Sequence, residues 1–330
     1  MTEHRTAFVT GATGFLGLNL VEKLLANGWQ VTALHRESSD LSVLSRFPAN
    51  RVTGDILDEA RLVEIMPENP DAVFHTAANT SVWGRHAGQQ AMDNVDGTRN
   101  VLNAAIAKGA RRFIHTSTWN TFDWSDGAIS EETSQASVAG HWISYNRTKY
   151  AAEQLVKLAV ADGRIEAVIL NPAHIVGRYD NHNWARLITM AAKGTLPAVP
   201  PGAGCFAHGP AVAEAHIAAA LKGRNGENYL LSGPEAPFTR IVEEVRRLAS
   251  QPKSARVAPV FAMKLLAHLK AAMAVFTGKE PDITPESVAM VTAHVSIAST
   301  RAADELDYAP ADLHTALQDA YDWLKETGAL

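Results

Sequence analysis

The sequence predicts an α/β fold: a doubly wound parallel sheet joined to a smaller, mainly helical C-terminal region. Three observations carry this. Short apolar runs at 6–10, 30–34, 51–53, 72–75, 112–116 and 166–170 alternate with helical patterns at 14–27, 58–66, 88–108 and 144–162. A glycine-rich turn stands between the first run and the first helix. Beyond residue 170 the alternation stops, and Leu196-Pro197, Pro200-Pro201-Gly202 and Gly204 mark loops between mostly helical patterns. Strand, helix, strand repeated in this way packs as a parallel sheet with helices on both faces, because the crossovers are right-handed.

The first element ends in Thr10-Gly11-Ala12-Thr13-Gly14-Phe15-Leu16-Gly17. In such a turn the first glycine permits the tight reversal, the second lets backbone approach a pyrophosphate, and the third lets helix and strand pack closely. The helix that follows is apolar on one face through Leu16, Leu20, Val21, Leu24 and Leu25, and Asn27-Gly28 ends it. Its N-terminus aims free N–H groups and a positive dipole end at phosphate. Strand before and helix after make this a dinucleotide site, with Thr10, Gly11, Thr13, Gly14, Phe15, Leu16 and Gly17 against the cofactor.

The second strand runs into Leu34-His35-Arg36-Glu37-Ser38. Arg36 stands about 20 residues past Gly17, where an acidic residue selects NAD and an arginine accepts the 2′-phosphate of NADP. Arg36 with the Ser38 hydroxyl favours NADP(H), and Glu37 keeps NAD(H) open. After the third strand, Asp55 is placed to accept from the adenine amino group with Ile56 against the ring, or to cap the next helix. Ala77, Ala78 and Asn79 follow the fourth strand, where small side chains let backbone lie close to a cofactor. The fifth strand ends in Thr116-Ser117-Thr118. Tyr145 and Lys149 then share one helix face. A neighbouring ammonium is expected to lower the tyrosine pKa and fit it for proton transfer, with the hydroxyl of Thr118 or Ser117 orienting a substrate oxygen.

The second half offers helical patterns at 184–193, 210–222, 239–250, 258–276 and 311–328, and a strand at 228–231 that returns to the sheet. Residues 1–170 therefore read as the dinucleotide-binding domain, with the strand near 228–232 added, and 171–330 as an interleaved substrate domain. The composition, 46% hydrophobic and 20% charged, is that of a globular protein. A net charge of −5 disfavours nucleic acid and anionic membrane as partners. A single cysteine, Cys205, excludes an internal disulfide and a cysteine zinc cluster, and no histidine pair has metal-ligand spacing. The polar start, Met1 to Thr6, carries no leader pattern, which points to the cytoplasm. The apolar stretch 257–277, interrupted by Lys264, His268 and Lys270, reads as a helix covering a core or a dimer face rather than a membrane span.

These motifs together resemble the extended short-chain dehydrogenase/reductases, the NAD-dependent epimerase/dehydratase superfamily. The matching pieces are residues 10–17, Gly54-Asp55-Ile56, Val73-Phe74-His75-Thr76-Ala77-Ala78, Asn94-Val95-Asp96-Gly97-Thr98, Thr116-Ser117-Thr118, Tyr145 with Lys149, Asn171-Pro172 and Glu305-Leu306-Asp307-Tyr308. Within that superfamily the chain is most similar to dihydroflavonol-reductase-like, NADPH-dependent carbonyl reductases. The resemblance implies a Rossmann domain, catalysis by Thr118, Tyr145 and Lys149, and cofactor contacts continuing through Asn171, Pro172, Ala173 and Ile175. It places Trp83, Trp119, Phe122, Asp123, Trp142, His174, Trp184 and Phe206 around the substrate, an aromatic lining suited to an apolar or aromatic aldehyde or ketone rather than a nucleotide sugar. Thr121-Phe122-Asp123 departs from the plant enzymes, which carry a substrate-selecting asparagine there. The resemblance admits a homodimer through the helices at 94–108 and 146–160. An epimerase, a dehydratase (with Asp123 as its hint) or a hydroxysteroid-type dehydrogenase stands as the alternative on this scaffold. A cofactor-binding regulator is a different class, and such proteins often lose the tyrosine or lysine that this chain keeps.

Overall fold

A computed structural model describes residues 5–252, 256–278 and 280–330; the start on which the leader reading rests lies partly outside them. In chain order the strands are β1 (Thr6–Thr10), β2 (Gln30–His35), β3 (Asn50–Thr53), β4 (Ala72–His75), β5 (Arg112–Thr116), β6 (Ala128–Ile129), β7 (Glu166–Pro172), β8 (His174–Val176), β9 (Ala203–His208), β10 (Asn228–Leu231), β11 (Glu235–Pro237) and β12 (Ser296–Ile297). The α-helices are α1 (Phe15–Ala26), α2 (Glu59–Ile65), α3 (Ala87–Ala91), α4 (Gly97–Ala107), α5 (Ser144–Ala161), α6 (Ala185–Ala192), α7 (Gly209–Lys222), α8 (Phe238–Leu248), α9 (Val260–Thr277), α10 (Pro285–Thr292), α11 (Thr300–Leu306) and α12 (Leu313–Glu326).

Seven strands form one sheet in the order β10-β7-β5-β4-β1-β2-β3, and every neighbouring pair is parallel. The chain reverses direction across the sheet between β1 and β4. Ligands of open α/β sheets sit in the crevice that this reversal opens at the carboxyl ends of the strands. The central strands are buried on both faces, as a sheet covered by helices on both sides requires. One apolar layer joins Val9, Phe74 and Ile114 to α1 and α7, and the other joins Phe8, Val73 and Phe113 to α2, α4 and α5.

Beyond β7 the chain builds a three-stranded sheet, β11-β9-β8, and a third cluster in which Ile188, Phe238, Val242 and Leu317 join α6, α8 and α12. This small sheet and the β12-β6 pair are not legible as strands in the sequence, because their runs of two to six residues lack a periodic pattern. The helix expected over 88–108 divides into α3, a π-helical turn at Met92–Asp96 and α4. That wider turn places the Asn94 carboxamide on the backbone of Asn79, accepting from its N–H at 2.7 Å and donating to its carbonyl at 3.0 Å. Such turns recur at functional sites.

The stretch at 260–277 is a helix, but of the two alternatives expected for it, a core or a dimer face, it does not cover the core. Only Ala267 and Ala274 of α9 are buried, while its large side chains face outward. The sequence pattern misled because apolar residues surround this helix on nearly all sides, leaving no polar face to mark the solvent side.

Candidate active site

The glycine turn has the geometry that its spacing implies. Gly11 adopts φ +67°, and a Cβ there would stand 2.7 Å from the Ala77 backbone nitrogen. A Cβ at Gly17 would stand 2.0 Å from the Gly11 carbonyl oxygen. The turn therefore lies tight against both its own helix and the strand beyond, leaving its outer side to the crevice. Two cavities meet on it, sharing Gly11, Thr13, Gly14, Thr76 and Ala78. The smaller, about 560 Å³, runs to the end of β2 past Arg36, Asp55, Ile56, Ala77 and Asn79. The larger, about 1120 Å³, runs past Phe15, Leu16, Gly17, Thr116, Ser117, Thr118, Tyr145, Lys149, Pro172, Ala173 and Ile175 to Trp119, His174 and Trp184. A continuous trough with a glycine-lined middle and an arginine at one end fits an extended dinucleotide.

Several expected cofactor residues stand behind the trough rather than on it. Thr10 is fully buried and its hydroxyl bonds His75 Nδ1 at 2.8 Å. The same ring reaches the Thr98 hydroxyl at 2.9 Å through Nε2, and burial holds the imidazole neutral, with its pKa down at about 3. Thr10 thus braces the turn from below. Ser38 is outside the lining; Ser39 takes its place, its Oγ accepting from the Arg36 N–H at 3.1 Å. Asn171 is buried, donating to the Thr118 carbonyl at 3.1 Å and to Glu153 at 3.1 Å. Asp55 lines the trough while one oxygen accepts from the Leu57 N–H, and Asp58 instead caps α2.

At the chemical end, Tyr145 and Lys149 project from α5 toward the termini of β5 and β7. Lys149 is buried and donates to the Thr116 carbonyl at 2.7 Å. Burial brings its pKa down to about 8, with Glu153 acting the other way. The tyrosine departs from expectation: burial raises its pKa, and the hydrogen bond from Thr118 only partly offsets this. Spacing alone suggested that the ammonium would dominate, but desolvation is the larger effect. Tyr145 is therefore a neutral phenol, the protonated form that a proton donor needs.

Behind the site lies a buried carboxylate that the sequence reading missed. Glu153, one helical turn past Lys149, accepts from Ser117 Oγ at 2.8 Å, Thr121 Oγ1 at 3.1 Å, Gln135 at 2.7 Å and Asn228 at 2.8 Å. Burial pushes its pKa up, but Lys157 and these donors outweigh that and keep it charged. The i, i+4 ladder Tyr145, Lys149, Glu153, Lys157 was present in the sequence as the only signal.

Of the expected substrate residues, Trp119, His174 and Trp184 line the cleft. Phe206 packs behind them, its ring 5.5 Å from His174 and 5.3 Å from Trp184. The others point elsewhere. Trp83 is buried against His86. Phe122 sits in a core cluster with Ile129 and Leu230. Asp123 binds Ser125 N and Ser137 Oγ. Trp142 is largely exposed on the outside. His141 also lies off the cleft, its Nδ1 accepting from the Ile143 N–H at 3.1 Å. In their place the cleft gains Asn120, Tyr179, Asn183, Arg186, Met190 and Met290. Asn120 donates to Thr118 Oγ1 at 3.3 Å, while its own carbonyl oxygen is buried with no partner among the described residues.

Residues 7–231 match the family model described as the NAD dependent epimerase/dehydratase family. The chain is 31% identical over 329 residues to "Sterol demethylase protein B" of Methylococcus capsulatus, covering 98% of this chain and all of that protein. It is 29% identical over 328 residues to a "Putative dihydroflavonol 4-reductase" of Synechocystis, covering 97% and 95% of the two. Among solved structures it is similar to that of gox2253, with a TM-score of 0.85 and 29% identity over 99% of this chain and all of that one.

Proposed function

We propose, from the premise that this chain belongs to the NAD dependent epimerase/dehydratase family and is an NAD(P)-dependent oxidoreductase, that it uses NADP(H) to interconvert an apolar, ring-containing aldehyde or ketone and its alcohol. The observation that carries this reading is the placement of the Tyr145 phenol, the Thr118 hydroxyl and the rings of Trp119 and Trp184 on one cleft that continues into the glycine turn. Gly11, Thr13, Gly14 and Phe15 would hold the pyrophosphate, Arg36 the adenosine end and Lys149 the ribose near the reacting ring. When bound, the dinucleotide supplies the hydride.

The residues themselves perform the rest. Thr118 and Tyr145 hydrogen-bond the carbonyl oxygen and fix it over the cofactor side of the cleft. The phenol proton passes to that oxygen as negative charge develops on it. Lys149, held by the Thr116 carbonyl, places a positive charge near the phenolate that results. The aromatic walls exclude water and accept apolar surface. A cleft of about 1120 Å³ is generous for a small aldehyde even with the nicotinamide in it. Together with the similarity to the sterol demethylase protein, this favours a second reading within the same chemistry: a hydroxysteroid-type dehydrogenase. We further propose a homodimer through α4 and α5; the exposed Leu158 on α5 supports that face.

The test follows NADPH and NADH oxidation over aromatic ketones, aliphatic aldehydes and 3-ketosteroids, with the reverse reaction on the alcohols. Turnover with NADPH that falls by about 10²–10⁴ in Tyr145→Phe, with cofactor affinity retained, is the expected result. A cofactor that stays bound through turnover, with no net oxidation, would instead assign an epimerase.

A further inference from the structure

Helix α9 is exposed along an apolar face that no other part of the described structure covers. Phe261 is 74% exposed, Leu265 60%, Leu269 56%, Met273 68% and Phe276 91%. At about 100° per residue these five side chains fall on one side of the helix. The buried Ala267 and Ala274 fall on the opposite side, a seam of small residues facing α10. Large exposed apolar surfaces of this kind mark interaction sites.

Three observations identify what would cover it. The first is charge. From residue 253 to 279 the sequence contains Lys253, Arg256, Lys264, Lys270 and Lys279 and no acidic residue, although the whole chain is at −5. The exposed Lys264 and His268 border the apolar face. The second is size. A helix of 18 residues offers a strip about 27 Å by 10 Å, short of the roughly 800 Å² per partner of a stable protein interface. A second copy packed on it about a two-fold axis would also oppose one basic segment to another. The third is attachment. Lys270 donates to Asp282 at 2.5 Å, and Arg186 of the cleft wall reaches the same carboxylate at 2.8 Å. Thr284 Oγ1 donates to the Val82 carbonyl, and Glu280 and Glu286 accept from Ser81 Oγ and the Gly84 N–H. Length and composition would let α9 cross a membrane, but these ties and the alanine seam hold it flat along the fold.

We propose that α9 seats the protein on an anionic phospholipid surface, with its axis in the plane of the interface, its aromatic and leucine side chains among the acyl chains and Lys264 and His268, at the edge of that face, at the headgroups. Because α10 contributes Met290 to the cleft and Arg186 joins the cleft to Asp282, the seat sets the cleft mouth beside the lipid.

The experiment is flotation of the purified full chain, without cofactor or substrate, with vesicles of phosphatidylcholine alone and of phosphatidylcholine with 30% phosphatidylglycerol. The double variant Leu265→Glu/Phe276→Glu runs beside it; both positions are exposed, and circular dichroism with a thermal midpoint checks that the fold is retained. Lys264→Glu tests the charge. The expected result is binding to the anionic vesicles that weakens in high salt, falls severalfold in Lys264→Glu and falls at least about 100-fold in the double variant. Failure of the unaltered chain to float, or equal flotation of the double variant, overturns the proposal. Equal binding to both vesicles overturns the anionic part of it. A dimer in light scattering that the double variant abolishes, with no flotation, assigns the face to a second copy. None of these outcomes depends on the catalytic reading.

Discussion

Mild acid should unfold this protein through three imidazoles. His75, His115 and His216 are buried, and burial holds each neutral in the folded state: His75 at about 3, His216 at about 4 and His115 well below the ordinary 6.5. A base whose folded pKa is depressed costs nothing well above 6.5. As pH falls through that value the unfolded chain takes up protons that the folded one refuses, and stability is lost until the folded pKa is reached. Each pH unit in that window costs about 1.36 kcal/mol per group. At pH 5 each imidazole has cost about 2 kcal/mol and the three about 6, against a total stability of about 5–15 kcal/mol. The window lies above the usual carboxylate range, so histidines dominate it. Urea unfolding between pH 7.5 and 5, followed by tryptophan fluorescence, measures the loss. His115→Phe sharpens the test. Neither ring nitrogen of His115 has a hydrogen-bond partner among the described residues, and the ring stacks near Phe113 and His75. The substitution should stabilise by about 1–3 kcal/mol near neutrality and remove about 2 kcal/mol of the acid loss at pH 5, to which His174 of the cleft wall, lowered to about 4 by burial, also adds. A loss under about 2 kcal/mol at pH 5, or an unchanged slope in His115→Phe, would refute the reasoning.

The remaining predictions concern the site. Gly17→Ala, whose Cβ would press on the Gly11 carbonyl oxygen, should abolish dinucleotide binding in calorimetry, whereas Gly28→Ala, with open space around it, should bind normally at a cost of about 1 kcal/mol for its positive φ. Thr118→Ser should keep most turnover and Thr118→Ala should lose about 10²-fold or more, read as kcat with cofactor affinity unchanged. Glu153→Gln places an amide where only donors converge, so it should cost about 3 kcal/mol or more in urea unfolding. Arg36→Ala should raise the KM for NADPH about tenfold or more and leave that for NADH nearly unchanged; equal effects on both would remove the NADP assignment.

The elements legible in the sequence are those whose signal is local. The turn at 10–17 is one: three glycines at fixed offsets between a strand and a helix leave one conformation, and the close contacts at Gly11 and Gly17 follow from it. The strands of the parallel sheet are another, because burial on both faces writes continuous apolar runs. The cleft was only partly legible. A tryptophan in a loop carries no mark of direction, so Trp119 and Trp184 face the cleft while Trp83 and Trp142 do not. Met290 and Arg186 reach it only because α10 and α6 fold back over it. The proton chemistry was misjudged in sign at Tyr145, since spacing reports the distance to Lys149 and not the loss of water around the phenol.

The Glu153 cluster has a consequence for how this chain can be cut and recombined. One carboxylate gathers hydrogen bonds from side chains as far apart in sequence as Ser117 and Asn228, and Asn228 belongs to the strand that completes the sheet beside β7. A break near residue 170, which looks like a natural seam, would leave the first piece with a buried negative charge stripped of Asn171 and Asn228 and an open sheet edge along β7. The halves are therefore not interchangeable modules. A chimaera that takes its C-terminal half from a relative should fold only where that half supplies hydrogen-bond donors at 171 and 228, and a screen of crossover points should find few tolerated breakpoints between 117 and 228.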